Sequence, residues 1–299
     1  MNISIDASRA FVSERTGTEN YSYQLIRAIA KIDQKNRYTL FTRCHLNMPE
    51  LRWHLNKNFV VKPITTPRLW TQIGLAKEVF FHPPDVLFIP SHTIPMIHLI
   101  SLKTVVTIHD LGYEYLPQYH QFPQKLYLNK STEFAVKQAT HLIAVSKATK
   151  KDLINKLNCP AEKITVIYEG FDKTKFKPVI RHSGNERSED SRIKKNGFWT
   201  SQNDKSTNRY ILFVGTIQPR KNIVRLIEAF AKVIVDTNNL QLVIAGNKGW
   251  LYDEILKTPE KLGIADRVKF LGYTSDDDLA SLYSSALCLC LPSLFEGFG

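Results

Sequence analysis

Residues 210–245 read YILFVGTIQPRKNIVRLIEAFAKVIVDTNNLQLVIA. The run Tyr210–Val214 is continuously apolar and stops at Gly215. A short turn follows, then an amphipathic segment from Ile223 to Val235 and a second apolar run, Gln241–Ala245. Strands buried on both faces are apolar at successive rather than alternate positions, and two of them joined through a helix lie parallel with a right-handed crossover. The stretch therefore predicts a β-α-β unit of a parallel sheet covered by helices.

The same rhythm extends outward. Upstream, strands are expected at Ile3–Asp6, Tyr38–Thr42, Phe59–Lys62, Asp85–Ile89, Thr104–Ile108, His141–Val145 and Ile164–Ile167; downstream, at Val268–Leu271 and Leu287–Leu291. Helical patterns run from Asn20 to Ile32, with Tyr21, Leu25, Ile29 and Ile32 on one face, and from Gln124 to Gln138. Thr16-x-x-Glu19 ahead of the first reads as a capping box. Residues 179–208 are polar, Ser/Asn-rich and mixed in charge, which predicts a linker or surface insertion. The expectation is an α/β chain with two Rossmann-like domains, residues 1–178 and 209–299, each built on a parallel sheet.

Composition narrows the function classes. A chain of 299 residues, 43% hydrophobic, is too long and too apolar for a disordered tail. The formal charge is +12, yet residues 1–178 hold 24 basic and 14 acidic side chains while residues 209–299 hold ten of each. Basic character thus belongs to the first domain. That charge suits a phosphate backbone, but the sequence has no aromatic-basic RNP pattern, zinc spacing or helix-turn-helix signature, so no nucleic-acid partner is expected. The N-terminus has no apolar run behind a basic segment, so no signal peptide is expected. The apolar stretch Asp85–Ile108 is interrupted by Pro90, His92, Pro95, His98 and Lys103, so it is not expected to span a membrane. Cys44, Cys159, Cys288 and Cys290 form no CxxC pair, and reduced cytosolic thiols are expected; Cys288 and Cys290 alternate with leucines and are expected in the core.

Ligands of such sheets bind beyond the carboxyl ends of the strands, which directs attention to three segments. Arg220 and Lys221 follow Gly215 and stand just before a helix N-terminus, a good place for a diphosphate, although two solvated loop cations would look the same. His109-Asp110 ends an apolar strand; imidazole there could touch a sugar hydroxyl with the carboxylate orienting it, or could be a structural hydrogen-bonder. Glu296 enters the glycine-rich turn Glu296-Gly-Phe-Gly299, where a backbone and a carboxylate can approach a ligand closely. There is no GxGxxG after the first strand and no Walker lysine loop, so simple dinucleotide and P-loop readings lose their basis.

Taken together these segments resemble the GT-B glycosyltransferases of family 4, retaining and nucleotide-sugar-dependent, among them many mannosyl- and rhamnosyltransferases. The resemblance is carried by IDASRAFVSERTGTENYSYQLIRAI, VVTIHDLGYEYLP, LIAVSKATKKDL, ITVIYEGFD, ILFVGTIQPRKNIVRLIEAF, LVIAGNKGWLYDEI and the closing SLFEGFG, in order. It implies a GT-B architecture with an acceptor-side first domain and a donor-side second domain. Thr16-Gly17 and Gly215 would lie near the donor phosphates, Arg220 and Lys221 would hold the diphosphate, and His109 with Asp110 would face the reacting sugar and acceptor. Glu296 would be the first carboxylate of a Glu-x7-Glu motif that contacts the donor sugar. No metal and no further cofactor is implied; Asp276-Asp277-Asp278 reads as N-capping. Two departures stand out: Thr216 follows Gly215 where many members carry arginine, and Glu169 stands where asparagine is common. The sequence ends inside the Glu-x7-Glu motif, so the second domain is expected to be incomplete.

The implied activity is hexosyl transfer with retention to a glycan or lipid-linked acceptor in cell-surface polysaccharide or lipopolysaccharide synthesis. The chain would be cytoplasmic, with its basic face on an anionic membrane. The alternative is an inactive truncated remnant or a sugar-nucleotide-binding module.

Overall fold

The computed structural model describes residues 1–12, 14–43, 55–66, 68–115, 124–177, 209–236 and 239–298. The segment 179–208 and Cys44 lie outside the described residues. The chain divides into two compact units, Met1–Glu169 with Glu296–Gly299, and Gly170–Phe295. This division differs from the sequence segments in two ways: residues 170–177 group with the second unit, and the last four residues return to the first.

Among its described residues the first unit holds seven strands: β1 (Asn2–Asp6), β2 (Arg37–Arg43), β3 (Phe59–Ile64), β4 (Val86–Ile89), β5 (Lys103–Ile108), β6 (His141–Ala144) and β7 (Ile164–Val166). Their order is β3-β2-β1-β4-β5-β6-β7, and all six pairings are parallel. Successive side chains of a strand point to opposite faces. Leu87 and Ile89 accordingly join one buried cluster with Val106, Ile108 and Leu142, while Phe88 joins another with Ile5, Leu40 and Ile26. Both faces are covered, which is why these strands read as unbroken apolar runs. Pro63 sits in β3 at the sheet's edge, where a missing N–H costs no ladder bond.

Helix α1 (Gly17–Ile32) begins at Thr16, whose N–H donates to the Glu19 carboxylate at 3.2 Å, as the capping signal predicts. Its buried stripe is Ser22, Ile26 and Ala30, and the expected apolar Ile32 is 82% exposed. Ile32 lies two positions past Ala30, about 200° around the helix, and so faces away from the sheet. Among the elements that the sequence reading did not expect is a π-helical turn at Trp70–Leu75 that runs on as α2 (Ala76–Phe81). Three further helices, α3 (Gly112–Tyr115), α4 (Gln124–Gln138) and α5 (Lys147–Leu157), complete the unit's crossovers.

The second unit has β8 (Arg209–Val214), β9 (Leu240–Ala245), β10 (Val268–Gly272) and β11 (Cys288–Leu289) in the order β10-β9-β8-β11, again all parallel. Phe213, Leu242 and Ile244 pack on one face with α6 (Ile223–Val233), and Tyr210, Leu212, Val243 and Ala245 on the other. Helices α7 (Asp253–Lys261) and α8 (Asp276–Ser285) follow. Contrary to expectation, Cys288 is exposed and Cys290 is only partly buried. Cys288 opens the short edge strand β11 and Cys290 directly follows it; the neighbouring Leu287, Leu289 and Leu291 are also about half exposed.

Candidate functional site

In the first unit the polar residues gather at the carboxyl ends of the strands. β5 delivers His109, which is buried. Its Nδ1 lies 3.1 Å from the Glu169 carboxylate and its Nε2 lies 2.8 Å from the Pro90 carbonyl. The ring of Tyr21 meets it edge-on, with centroids 4.7 Å apart, and the His92 ring lies beyond at 5.8 Å. Asp110 does not orient this imidazole; its carboxylate accepts from the Gly112 N–H at 2.9 Å and so opens the short helix α3. The carboxylate that faces His109 is Glu169, which follows β7.

The last residues bind to the same strand end. The Gly297 carbonyl accepts from the Ser146 hydroxyl and lies 3.2 Å from the Thr149 hydroxyl, which is also 3.1 Å from the His109 carbonyl. A Cβ on Gly297 would fall 1.9 Å from the His109 carbonyl oxygen and 2.7 Å from Asp110 Cβ, so only glycine fits. Ser146 also caps α5 through the Thr149 N–H. This contact holds Glu296 one residue from backbone that touches His109. Gly17 opens α1, with nothing within 4 Å of an added Cβ.

His92 accepts the His109 N–H through Nε2 at 3.4 Å. Burial, reinforced by the neighbouring His109 and partly opposed by Asp110, pushes its imidazole down to about 4. A histidine ordinarily titrates near 6.5, so between these values the unfolded chain binds a proton that the fold refuses. Stability is full above about pH 6.5 and falls as the pH drops toward 4, by at most about 3 kcal/mol because the ring keeps some solvent contact. Urea unfolding at pH 7 and 4.5 is expected to show a loss of about 2 kcal/mol that shrinks markedly in His92→Gln; equal losses in both proteins would contradict this origin.

In the second unit the ends of β8, β9 and β10 are glycines, Gly215, Gly246 and Gly272. Gly215 N–H donates to the Ala245 carbonyl at 2.9 Å, and Gly246 N–H to the Gly272 carbonyl at 2.8 Å. Gly246 has φ +143°, and a Cβ there would lie 2.0 Å from the Gly215 carbonyl oxygen. Beyond Gly215 a 3₁₀ turn, Pro219–Lys221, leads through the left-handed Asn222 (φ +59°) into α6. Arg220 is braced rather than loose. Its guanidinium donates to the Phe295 carbonyl at 3.1 Å, its own carbonyl accepts from Leu294 N–H at 2.9 Å, and Asn222 Nδ2 donates to the Pro292 carbonyl at 3.1 Å. Lys221 lies against the same glycine, its Cε 3.8 Å from a Cβ built on Gly215. Beneath the turn Gln218 is buried. Asp276–Asp278 do not cap α8; Ser275 does, accepting from Asp278 N–H at 3.2 Å, and Lys175 pairs with Asp276 and Asp277.

The family model "Glycosyltransferase Family 4" matches residues 15–175 and "Glycosyl transferases group 1" matches residues 197–299. The chain belongs to glycosyltransferase family 4. It is 27% identical over 231 residues to an O-antigen chain mannosyltransferase B of Escherichia coli, covering 75% of this chain and 53% of that protein. It spans about half the length of the curated relatives it matches. Among solved structures, sucrose-phosphate synthase from Thermosynechococcus elongatus superposes with a TM-score of 0.73 at 18% identity, covering 100% of this chain and 77% of that one. Anabaena HepE in complex with UDP-glucose gives 0.65 at 19% identity, covering 98% and 73%. At these identities the likeness shows the fold, and the two parallel, helix-covered sheets are those of GT-B glycosyltransferases.

Sequence reasoning missed three features here: the Glu169–His109 contact, the Gly297 contact, and the bracing of Arg220 by Phe295. Each joins residues more than fifty positions apart, and no spacing rule reports such pairs.

Proposed function

We propose that this chain transfers a hexosyl residue from a nucleotide-activated donor to a glycan or lipid-linked acceptor, with retention, in cell-surface polysaccharide or lipopolysaccharide synthesis. The observation that carries this reading is the braced turn at Gly215–Lys221. A guanidinium and an ammonium stand together beyond a strand's carboxyl end and just ahead of a helix N-terminus, the arrangement that suits a diphosphate. As the sugar–phosphate bond breaks, negative charge builds on the leaving group, and fixed cations there stabilise the transition state more than the ground state. In this reading the cationic pair, not a metal, offsets that charge. Glu296 contacts hydroxyls of the donor sugar, and His109 with Asp110 stands on the acceptor side. With no enzymatic nucleophile assigned, retention follows from same-face attack assisted by the leaving phosphate. Mannose is the first sugar to try, since the Escherichia coli relative is named a mannosyltransferase. Calorimetric titration with GDP-mannose and UDP-glucose, paired with transfer to lipid-linked acceptors, tests it. Saturable donor binding with transfer supports an enzyme; binding without transfer supports the binding-module alternative.

The reading places the chain in the cytoplasm, on the inner leaflet. No helix among the described residues is long and apolar enough to cross a membrane. The first unit, however, exposes Ile73, Phe80 and Phe81 along the helical segment 70–81, and Met96 and Ile97 on a loop held to it by both ends of the Gln72 amide. Arg68, two residues before this segment, and Lys77, on it, are exposed. Apolar side chains flanked by cations suit the interface of an anionic bilayer. Co-sedimentation with vesicles is expected to require anionic lipid, to weaken with salt, and to fall severalfold in a Phe80→Ser, Phe81→Ser double variant. Binding that ignores salt and lipid charge would contradict the assignment.

A further inference from the structure

We propose that Glu169 is the positioning residue for His109, fixing both the orientation and the protonation of its ring. This rests on the reading above only in that His109 is taken to serve the reaction. Two oxygen atoms flank the ring. Pro90 presents a carbonyl oxygen to Nε2 at 2.8 Å, and Glu169 presents a carboxylate oxygen to Nδ1 at 3.1 Å. Both are acceptors. A neutral imidazole has one N–H and one lone pair, so it would turn a lone pair toward one of these oxygens. Both contacts are hydrogen bonds only when the ring carries both protons, and the carboxylate supplies the counter-charge.

The surroundings agree with that arrangement. His92 offers only an acceptor, Nε2, to the His109 backbone N–H, and burial beside His109 keeps its own ring neutral near pH 7. Tyr21 meets the His109 ring edge-on and leaves both nitrogens to their oxygens. Glu169 itself is held by the backbone. β7 pairs with β6 through Ala144 and Val166, and the Ile167 N–H donates to the Ala144 carbonyl at 3.0 Å, which fixes the chain just before the carboxylate. An asparagine at this place could donate to or accept from a neutral ring but would bring no charge. The glutamate therefore gives this chain a charge-paired, doubly bonded imidazole at the end of β5.

The test has two readouts. In proton NMR of the intact chain with labelled histidine, His109 is expected to show two exchange-protected ring N–H protons. Glu169→Ala is expected to lose the protected Nδ1–H and keep the one facing Pro90. In the transfer assay Glu169→Ala is expected to lower kcat by roughly 10–100-fold, with the donor KM within about twofold because the diphosphate turn lies in the other unit. Glu169→Gln should recover part of kcat, since its amide can still bond the ring; Glu169→Leu replaces the alanine variant should that one not fold. If wild type transfers no sugar, the assigned function fails, and the ring signals still decide the proposal. Two protected N–H protons in Glu169→Ala, or an unchanged kcat there when wild type is active, would overturn it.

Discussion

Gly246→Ala is expected to destabilise the second unit by about 3 kcal/mol or more, lowering its melting temperature by roughly 10 °C. Two costs act together. With φ at +143°, Gly246 occupies backbone space that a side chain tolerates at about 1–3 kcal/mol. The added methyl would also sit 2.0 Å from the Gly215 carbonyl oxygen, a backbone atom that cannot rotate aside. Relief would require breaking the bonds from Gly215 N–H to Ala245 and from Gly246 N–H to Gly272, which register β8, β9 and β10. Gly263 provides the control. It too has positive φ, +68°, but nothing lies within 4 Å of its Cβ position, so Gly263→Ala should cost only about 1 kcal/mol. Thermal melts of the three proteins check this; equal shifts for the two variants would show that the close approach at Gly246 does not matter.

Arg220→Ala is expected to lower kcat/KM for sugar transfer by 10²–10³-fold, and Lys221→Ala by a comparable factor. The arginine holds the closing segment by its bond to the Phe295 carbonyl and, in the proposed role, faces the leaving diphosphate. These contributions separate in Arg220→Lys, which keeps the charge but loses the planar fork that spans two partners. If charge dominates, the lysine variant recovers most of the lost rate; if bracing dominates, it resembles alanine. Nucleoside diphosphate affinity should fall alongside in both alanine variants. A kcat/KM within threefold of wild type in Arg220→Ala would remove the turn from the reaction.

Much of this was legible in the sequence because burial on both sheet faces writes itself as unbroken apolar runs. Ile3–Asp6, Thr104–Ile108 and Tyr210–Val214 needed no context to be read as parallel strands, and the carboxyl-edge rule then pointed to His109, Gly215 and Glu296. The helix start at Gly17 was legible because Thr16 and Glu19 satisfy each other locally. What escaped notice depends on neighbours remote in sequence. Ile32 looks apolar and core-facing until the helix phase is fixed by Ile26 and Ala30. Cys288 and Cys290 alternate like core residues, but β11 is an edge. Asp110 adjoins His109 in sequence and was the natural partner, yet backbone geometry directs its carboxylate to Gly112, and Glu169, sixty residues on, occupies the place beside the ring.

The most direct measurement is transfer of labelled sugar by the purified protein, with GDP-mannose and UDP-glucose as donors and lipid-linked glycan as acceptor, read as product and as anomeric configuration by NMR. The expected product has a new linkage that keeps the donor's anomeric configuration, with transfer falling about 10²-fold or more in Arg220→Ala. Inverted product, or transfer equal in wild type and Arg220→Ala, would contradict the proposed function.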